Sequence, residues 1–215
     1  MDMGVCLVQA YLRVHGYFTV SEYPILEALR YGDHRVATDI DILAVRFPHA
    51  CQVVPRQGRH EDGDTEIATP DPALAVPHDR VDMIIGEVKA GVAELNRAAT
   101  NPAVLRAALM RFGCCDHHDT ASVVDALLRT GRTTNPAGHQ VRMVAFGSTP
   151  ASQPHPPYQV ILLRDVLKFL REYMRVHWPV LHHADFKDPA FSVLMMLEKA
   201  DLPAFRAGAS ATAAG

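Results

Sequence analysis

Apolar positions along the chain change period several times, and each change marks a predicted element. Residues 3–15 (MGVCLVQAYLRVH) put Val5, Val8 and Leu12 on one helical face. Asp2 suits the N-cap of that helix and Gly16 its stop. The aromatic and β-branched stretch YFTVSEYPILEAL then predicts a strand interrupted near Pro24, and Gly32-Asp33 is a turn signal. VATDIDILAVRF alternates, sending Thr38, Ile40 and Ile42 to one side and Asp39, Asp41 and Leu43 to the other. From Pro48 to Arg80 the pattern lapses into a Pro- and charge-rich excursion (RQGRHEDGDTEIATPDP) with room for one short strand at 51–54. VDMIIGEVKAG predicts a third strand, apolar up to Gly86.

Asn101-Pro102 opens a helix that runs to Phe112 and is closed by Gly113, and a second helix spans 120–129 before Gly131. VRMVAFG and YQVILL are nearly unbroken apolar runs, as central strands covered on both faces require. STPASQPHPP between them is a stiff loop. Residues 165–177 make an amphipathic helix with Val166, Leu170, Tyr173 and Met174 inward, and Asp188-Pro189 caps a last helix carrying Phe191, Leu194 and Met195. This order predicts an α/β fold with a mixed sheet flanked by helices on both faces. The expected organisation is a core over 1–163, with the 48–80 excursion as an insert, a C-terminal helical extension over 164–203 and a disordered tail over 204–215.

Composition narrows the functional classes. With 48% hydrophobic and 21% charged residues the chain has an ordinary globular balance. No apolar run approaches the roughly 20 residues that a membrane helix needs. The formal charge of −3 supplies no general attraction to nucleic acid, so a nucleic-acid partner requires Lys and Arg focused on one face. Cys6, Cys51, Cys114 and Cys115 lack the spacing of a disulfide framework, and the opening residues lack a signal-peptide pattern; a cytoplasmic location is the expectation.

Candidate chemistry lies where charges interrupt apolar strands. Asp41 sits mid-strand, and Glu87 and Lys89 sit late on the next predicted strand, where period two projects both from one face. Neighbouring strands lie about 4.8 Å apart, so Asp41 and Glu87 can share one cation if the register matches. Magnesium takes only one or two protein carboxylates, and a lysine beside it can orient a water and stabilise developing charge. Unpaired charges within such strands cost several kcal/mol unless a metal or partner compensates. The pattern therefore suggests phosphodiester cleavage with Mg2+ (or Mn2+) as cofactor.

TDIDILAV followed, past a long insert, by MIIGEVKAG resembles the PD-(D/E)xK nuclease superfamily, which includes restriction endonucleases and Holliday-junction resolvases. The helix ending in HGYF resembles that group's opening as well. The resemblance covers roughly residues 3–148 and implies a restriction-endonuclease-like αβββαβ core, with the C-terminal helices outside it. It also implies that Asp41 and Glu87 bind the metal, that Lys89 assists catalysis, and that the partner is nucleic acid, with DNA preferred. Asp41 is favoured over Asp39 because D-I-L-A matches the family's acid-plus-apolar strand. Many members carry a glutamate in the first helix; here VCLVQAY offers only Gln9, and Glu22 and Glu27 are the candidate substitutes.

A non-catalytic descendant of the same fold, binding nucleic acid or a protein, is the alternative that the acidic balance and the missing helix glutamate motivate. Two further readings carry less weight. Cys114, Cys115, His117, His118, His177, His182 and His183 invite a zinc site, but adjacent pairs fit structural zinc spacing poorly. The Asp39-Ile40-Asp41 triplet, read as the DxD of a nucleotide-sugar transferase, leaves the Glu87–Lys89 strand unexplained. The apolar face of the last two helices (Phe169, Leu170, Met174, Trp178, Phe191, Leu194, Met195) reads as core cover before interface, with a homodimer as the second option. The excursion over 48–80 is placed to contact or gate a substrate.

Overall fold

Helix α1 (Met3–Val14) begins where the Asp2 carboxylate accepts the Gly4 N–H at 2.6 Å and ends before Gly16, whose φ of +83° turns the chain out of the helix. Val5, Val8 and Leu12 are buried, as the periodicity requires. The computed structural model describes residues 2–55, 65–67 and 70–201. Most of the charged part of the excursion and the expected disordered tail at 204–215 lie outside the described residues.

Strands β1 (Phe18–Ala28) and β2 (His34–Arg46) form a long antiparallel ribbon turned at Gly32, which has φ +87°. The expected interruption at Pro24 does not occur. Among the described residues β1 is an edge strand paired only with β2, the position in which a sheet tolerates a proline. The irregularity instead appears as a register slip between Ile25 and Leu26. Within the excursion, β3 (Gln52–Val54) pairs with β4 (Thr65–Ile67) as a separate small ribbon. Sequence reading captured only the first of these two strands.

β5 (Asp82–Val92) runs antiparallel to β2, and after helices α2 (Pro102–Phe112) and α3 (Thr120–Thr130) the chain returns as β7 (Gln140–Thr149), parallel to β5. The sheet order is β1-β2-β5-β7, with the short β6 (Arg132–Thr134) and β8 (Gln159–Leu162) both paired to β7. β7 is thus central as expected, but β8 is not; among the described residues it pairs with β7 alone. Helix α4 (Leu163–Val176) follows β8 without a loop, then α5 (Trp178–Leu181) and α6 (Pro189–Asp201), where Asp188 accepts the Phe191 N–H at 2.9 Å.

The sheet separates two apolar layers. One gathers Val8, Leu12, Ile42, Ile84, Phe146, Leu170 and Phe191 between the sheet and α1, α4 and α6. The other gathers Ile40, Leu43, Ile85, Leu105, Val124 and Met143 against α2 and α3. The expected boundary at 163/164 falls inside the first turn of α4, which follows β8 directly, and α4 and α6 share their core with α1. The seven apolar residues considered as an interface all lie in or against this layer, so they are core cover.

One end of the sheet is closed by buried polar side chains that sequence reading did not single out. Arg142 donates to Asp82 (2.8 Å from Nη2 to Oδ2), to the Leu74 carbonyl at 2.6 Å and to Gln159, while Tyr17 donates to Asp82. Arg46 donates to the carbonyls of His15 (2.8 Å), Ala50 (2.8 Å), Phe47 (3.3 Å) and Pro77 (3.2 Å). The described parts of the excursion dock at this end. Glu87 lies five residues further along β5, about 16 Å away at 3.3 Å per residue.

Candidate active site

The alternation predicted for β2 breaks at Asp41. Ile40 faces the α2/α3 layer together with Leu43, whereas Ile42 faces α1, so Ile40 and Ile42 lie on opposite sides of the sheet. The partner strand shifts with it. Glu22 lies between Ser21, which pairs with Ile42, and Tyr23, which pairs with Ile40, and it adopts φ +51°, a left-handed conformation uncommon for a side chain of this kind. This paired irregularity turns Asp41 toward the seam between β2 and β5.

There the backbone ladder stops. Ile42↔Gly86 is its last pair, and the next rung sets Asp41 opposite Glu87. In place of a strand-to-strand bond, the Val88 N–H donates to Asp41 Oδ2 at 2.8 Å. A backbone donor that belongs to the sheet is thus held by a side chain, and the carboxylate is fixed beside the Glu87–Lys89 segment.

Glu87 is only 1% exposed. Its Oε1 accepts from Lys89 Nζ and from Asn96 Nδ2, the latter at 2.6 Å. Its Oε2 is buried and has no hydrogen-bond partner among the described residues. Asn96 cannot turn its amide freely, because its Oδ1 accepts the Ala99 N–H at 2.6 Å. That bond fixes the amide with its NH2 toward Glu87. Beyond Lys89 the β5–β7 register slips, and Ala93 crosses directly over Gly147: a Cβ at Gly147 would lie 2.6 Å from the Ala93 backbone. This crossing returns the chain so that Asn96 reaches the site.

Electrostatics fit a pair of crowded acids. Burial raises the Glu87 pKa, the Lys89 bond opposes this, and the Asp41 charge adds to it. Asp41 is also raised, chiefly by burial, against the lowering pull of the Val88 N–H and Lys89. Asp2 and Glu22 push it further in the same direction. These two lie close by: the Asp2 N–H donates to Glu22 at 3.3 Å, and the first turn of α1 packs on Val88, with a Cβ at Gly4 falling 3.2 Å from its side chain.

Asp41, Glu87 and Lys89 are therefore brought together, with Glu22 beside them. The other candidates are not. Asp39 is exposed, and Glu27 is ion-paired to Arg35 further out on the ribbon. Gln9 is buried at the opposite side of α1, against α4 and α6. Cys114 belongs to the α2/α3 layer whereas Trp178 and Leu181, which precede His182 and His183, belong to the other, so the sheet separates the two halves of the zinc candidate. Burial also pushes the Cys114 thiol up to about 12, which disfavours the thiolate that a metal needs. Among the described residues no set of three His, Cys, Asp or Glu side chains is grouped to hold a metal.

Asn96 was missed by sequence reading because its signal, an Asn opening the short turn that ends at Thr100, is that of an ordinary cap. Among the described residues no helix is long and apolar enough to cross a membrane. No protein-family model matches this chain, and searches of curated proteins and of solved structures find no significant match.

Proposed function

We propose that this protein is a metal-dependent phosphodiester hydrolase of DNA-endonuclease type, on a restriction-endonuclease-like core, with Asp41 and Glu87 as metal ligands and Lys89 as the catalytic amine. The observation that carries the reading is Glu87 Oε2, a buried carboxylate oxygen with no partner among the described residues, on a side chain crowded by the charge of a second raised carboxylate, Asp41. Buried polar atoms are nearly always satisfied, and two crowded carboxylates are stabilised together by a cation. Two protein carboxylates also suit Mg2+ or Mn2+, which keep several waters. The topology supports the same reading: one helix, an antiparallel three-strand meander (β1, β2, β5), helices, and a strand parallel to the third.

Such an ion supplies charge stabilisation at phosphate and a more acidic water. Asp41, steadied by the Val88 N–H, and Glu87, steadied by Asn96, would hold it. Lys89, with its side chain 39% exposed while its ammonium touches Glu87, can release that contact to orient a water or pair with a phosphate oxygen.

The test combines plasmid nicking with calorimetric Mg2+ and Mn2+ titration. Asp41→Ala and Glu87→Ala should lose metal binding and at least 100-fold in cleavage. Lys89→Ala should keep metal binding and lose a comparable factor in rate. Unchanged cleavage in all three folded variants overturns the proposal. A second reading, a non-catalytic domain of this fold that binds nucleic acid or a protein, is favoured by the missing three-ligand group among the described residues and by the net charge of −3. Absence of any calorimetric signal from intact wild-type protein selects it.

A further inference from the structure

Gly113 closes α2 with φ +67°, and the two residues that follow, Cys114 and Cys115, place their sulfurs 3.2 Å apart. Buried Asn135 fixes this turn: its Nδ2 donates to the Cys114 carbonyl, and its Oδ1 accepts the His139 N–H at 2.8 Å. The Cys114 Sγ lies 3.7 Å from the Leu109 carbonyl of α2. The pair is remote from the carboxylates. His139 directly precedes Gln140, which pairs with Asp82, so the sulfurs sit toward the end of the sheet opposite Glu87.

The two thiols differ in access. Cys114 is 6% exposed in the α2/α3 layer, and burial pushes its thiol up to about 12, so it stays protonated. Cys115 is half-buried and packs against the same layer from its edge. An open sulfur nearly touching a buried one suits a two-step exchange: the first meets a reagent, and the second displaces what the first has bound.

We infer that Cys114 and Cys115 are a modification site that closes reversibly into a vicinal disulfide, by exchange with low-molecular-weight disulfides of the oxidised-glutathione class. In the first step the Cys115 thiolate attacks one sulfur of the small disulfide, and one small thiolate leaves and takes up the proton that Cys115 released. In the second, Cys114 Sγ attacks Cys115 Sγ, and its proton passes to the second small thiolate as that group leaves. The two protein thiols lose two electrons, and the small disulfide gains them to become two thiols. The link is readily undone. Adjacent Cα atoms lie about 3.8 Å apart across a trans peptide, short of the roughly 4.4–6.8 Å usual for disulfides, and a strained disulfide is the more easily reduced.

The experiment incubates the full folded chain with oxidised glutathione, traps the remaining thiols with iodoacetamide and maps the peptides by mass. The peptide holding Cys114 and Cys115 should emerge two hydrogens lighter and free of glutathione, while Cys51, exposed in the excursion, keeps the adduct. Cys114→Ser should hold the adduct on Cys115, with Cys114→Ala in its place if serine prevents folding. Cys115→Ser should leave Cys114 about tenfold slower to react than Cys51, as a buried thiol is. Excess reduced glutathione should restore both thiols of the wild-type pair. Three results overturn the inference: an adduct that persists on wild-type Cys115 beside a free Cys114, an untouched pair where Cys51 has reacted, or a crosslink that excess reduced glutathione leaves intact.

Discussion

At the scale of single residues, the two acids differ in how they are held. Asp41 has a backbone N–H to accept; Glu87 has two side-chain donors on one oxygen and none on the other. The sign of the pH dependence follows from burial raising Glu87 in the folded state. A carboxyl raised on folding contributes stability at pH below its ordinary value near 4.5, and that contribution is lost as pH rises through the elevated folded value. Glu87→Gln keeps an oxygen for Lys89 and Asn96 but cannot ionise. Without metal, its Tm should therefore gain on wild type as pH climbs from 4 toward 7. Saturating Mg2+ should close the gap. A difference that stays flat with pH would show that Glu87 is not strained in its ionised form.

At the scale of elements, the site depends on where β5 and β7 stop being regular. Gly147 permits the Ala93 backbone to cross at a distance no Cβ tolerates. Gly147→Ala should cost about 1–3 kcal/mol by urea denaturation, the range for overpacking, and weaken metal binding because Asn96 follows the displaced segment. Gly86→Ala, whose Cβ would lie 3.1 Å from the Ile42 Cβ and 3.5 Å from the Phe146 ring, should cost less, since it asks for a shift of a few tenths of an ångström where Gly147 meets backbone at 2.6 Å. A larger loss at Gly86 would contradict this. The same elements show what sequence can carry. Helices α1 and α4 and strands β2, β5 and β7 were legible because each is long enough for its apolar period or apolar run to register, with a cap at Asp2 to mark the start of α1. The break of alternation at Asp41 was not, because it exists only with Glu22 at positive φ on the neighbouring strand. Strands β4 and β6 are three residues each, too short for any period to register. Asp41, Glu87 and Lys89 could be chosen because charge is costly in an apolar strand; Asn96, in a polar turn, carries no such contrast.

At the scale of the whole molecule, the sheet has one end built for stability and another for the carboxylate pair. Asp82 and Arg142 are 0% and 3% exposed, and breaking a buried pair by removing one partner costs about 3–5 kcal/mol. Asp82→Ala should lose that much in chemical denaturation, whereas Mg2+ affinity of the folded fraction, about 16 Å away, should stay within twofold. Asp82→Asn provides a milder variant if alanine prevents folding. Comparable losses in both properties would mean that the two ends are coupled. Arg46 at the stable end has a consequence of its own. One guanidinium grips Phe47 and Ala50 where the chain departs from the sheet and Pro77 where it comes back, so both feet of the excursion stand on the same buried cation. Between those feet Ile67 and Leu74 are buried in the core, Asp71 accepts from Tyr11 and the Leu74 carbonyl accepts from Arg142, so this stretch is fixed structure in its own right. Length is cheap to change only in the connection between β3 and β4, where doubling a loop costs about 0.6 kcal/mol, so an insertion placed there leaves this footing and the strands beneath it as they are.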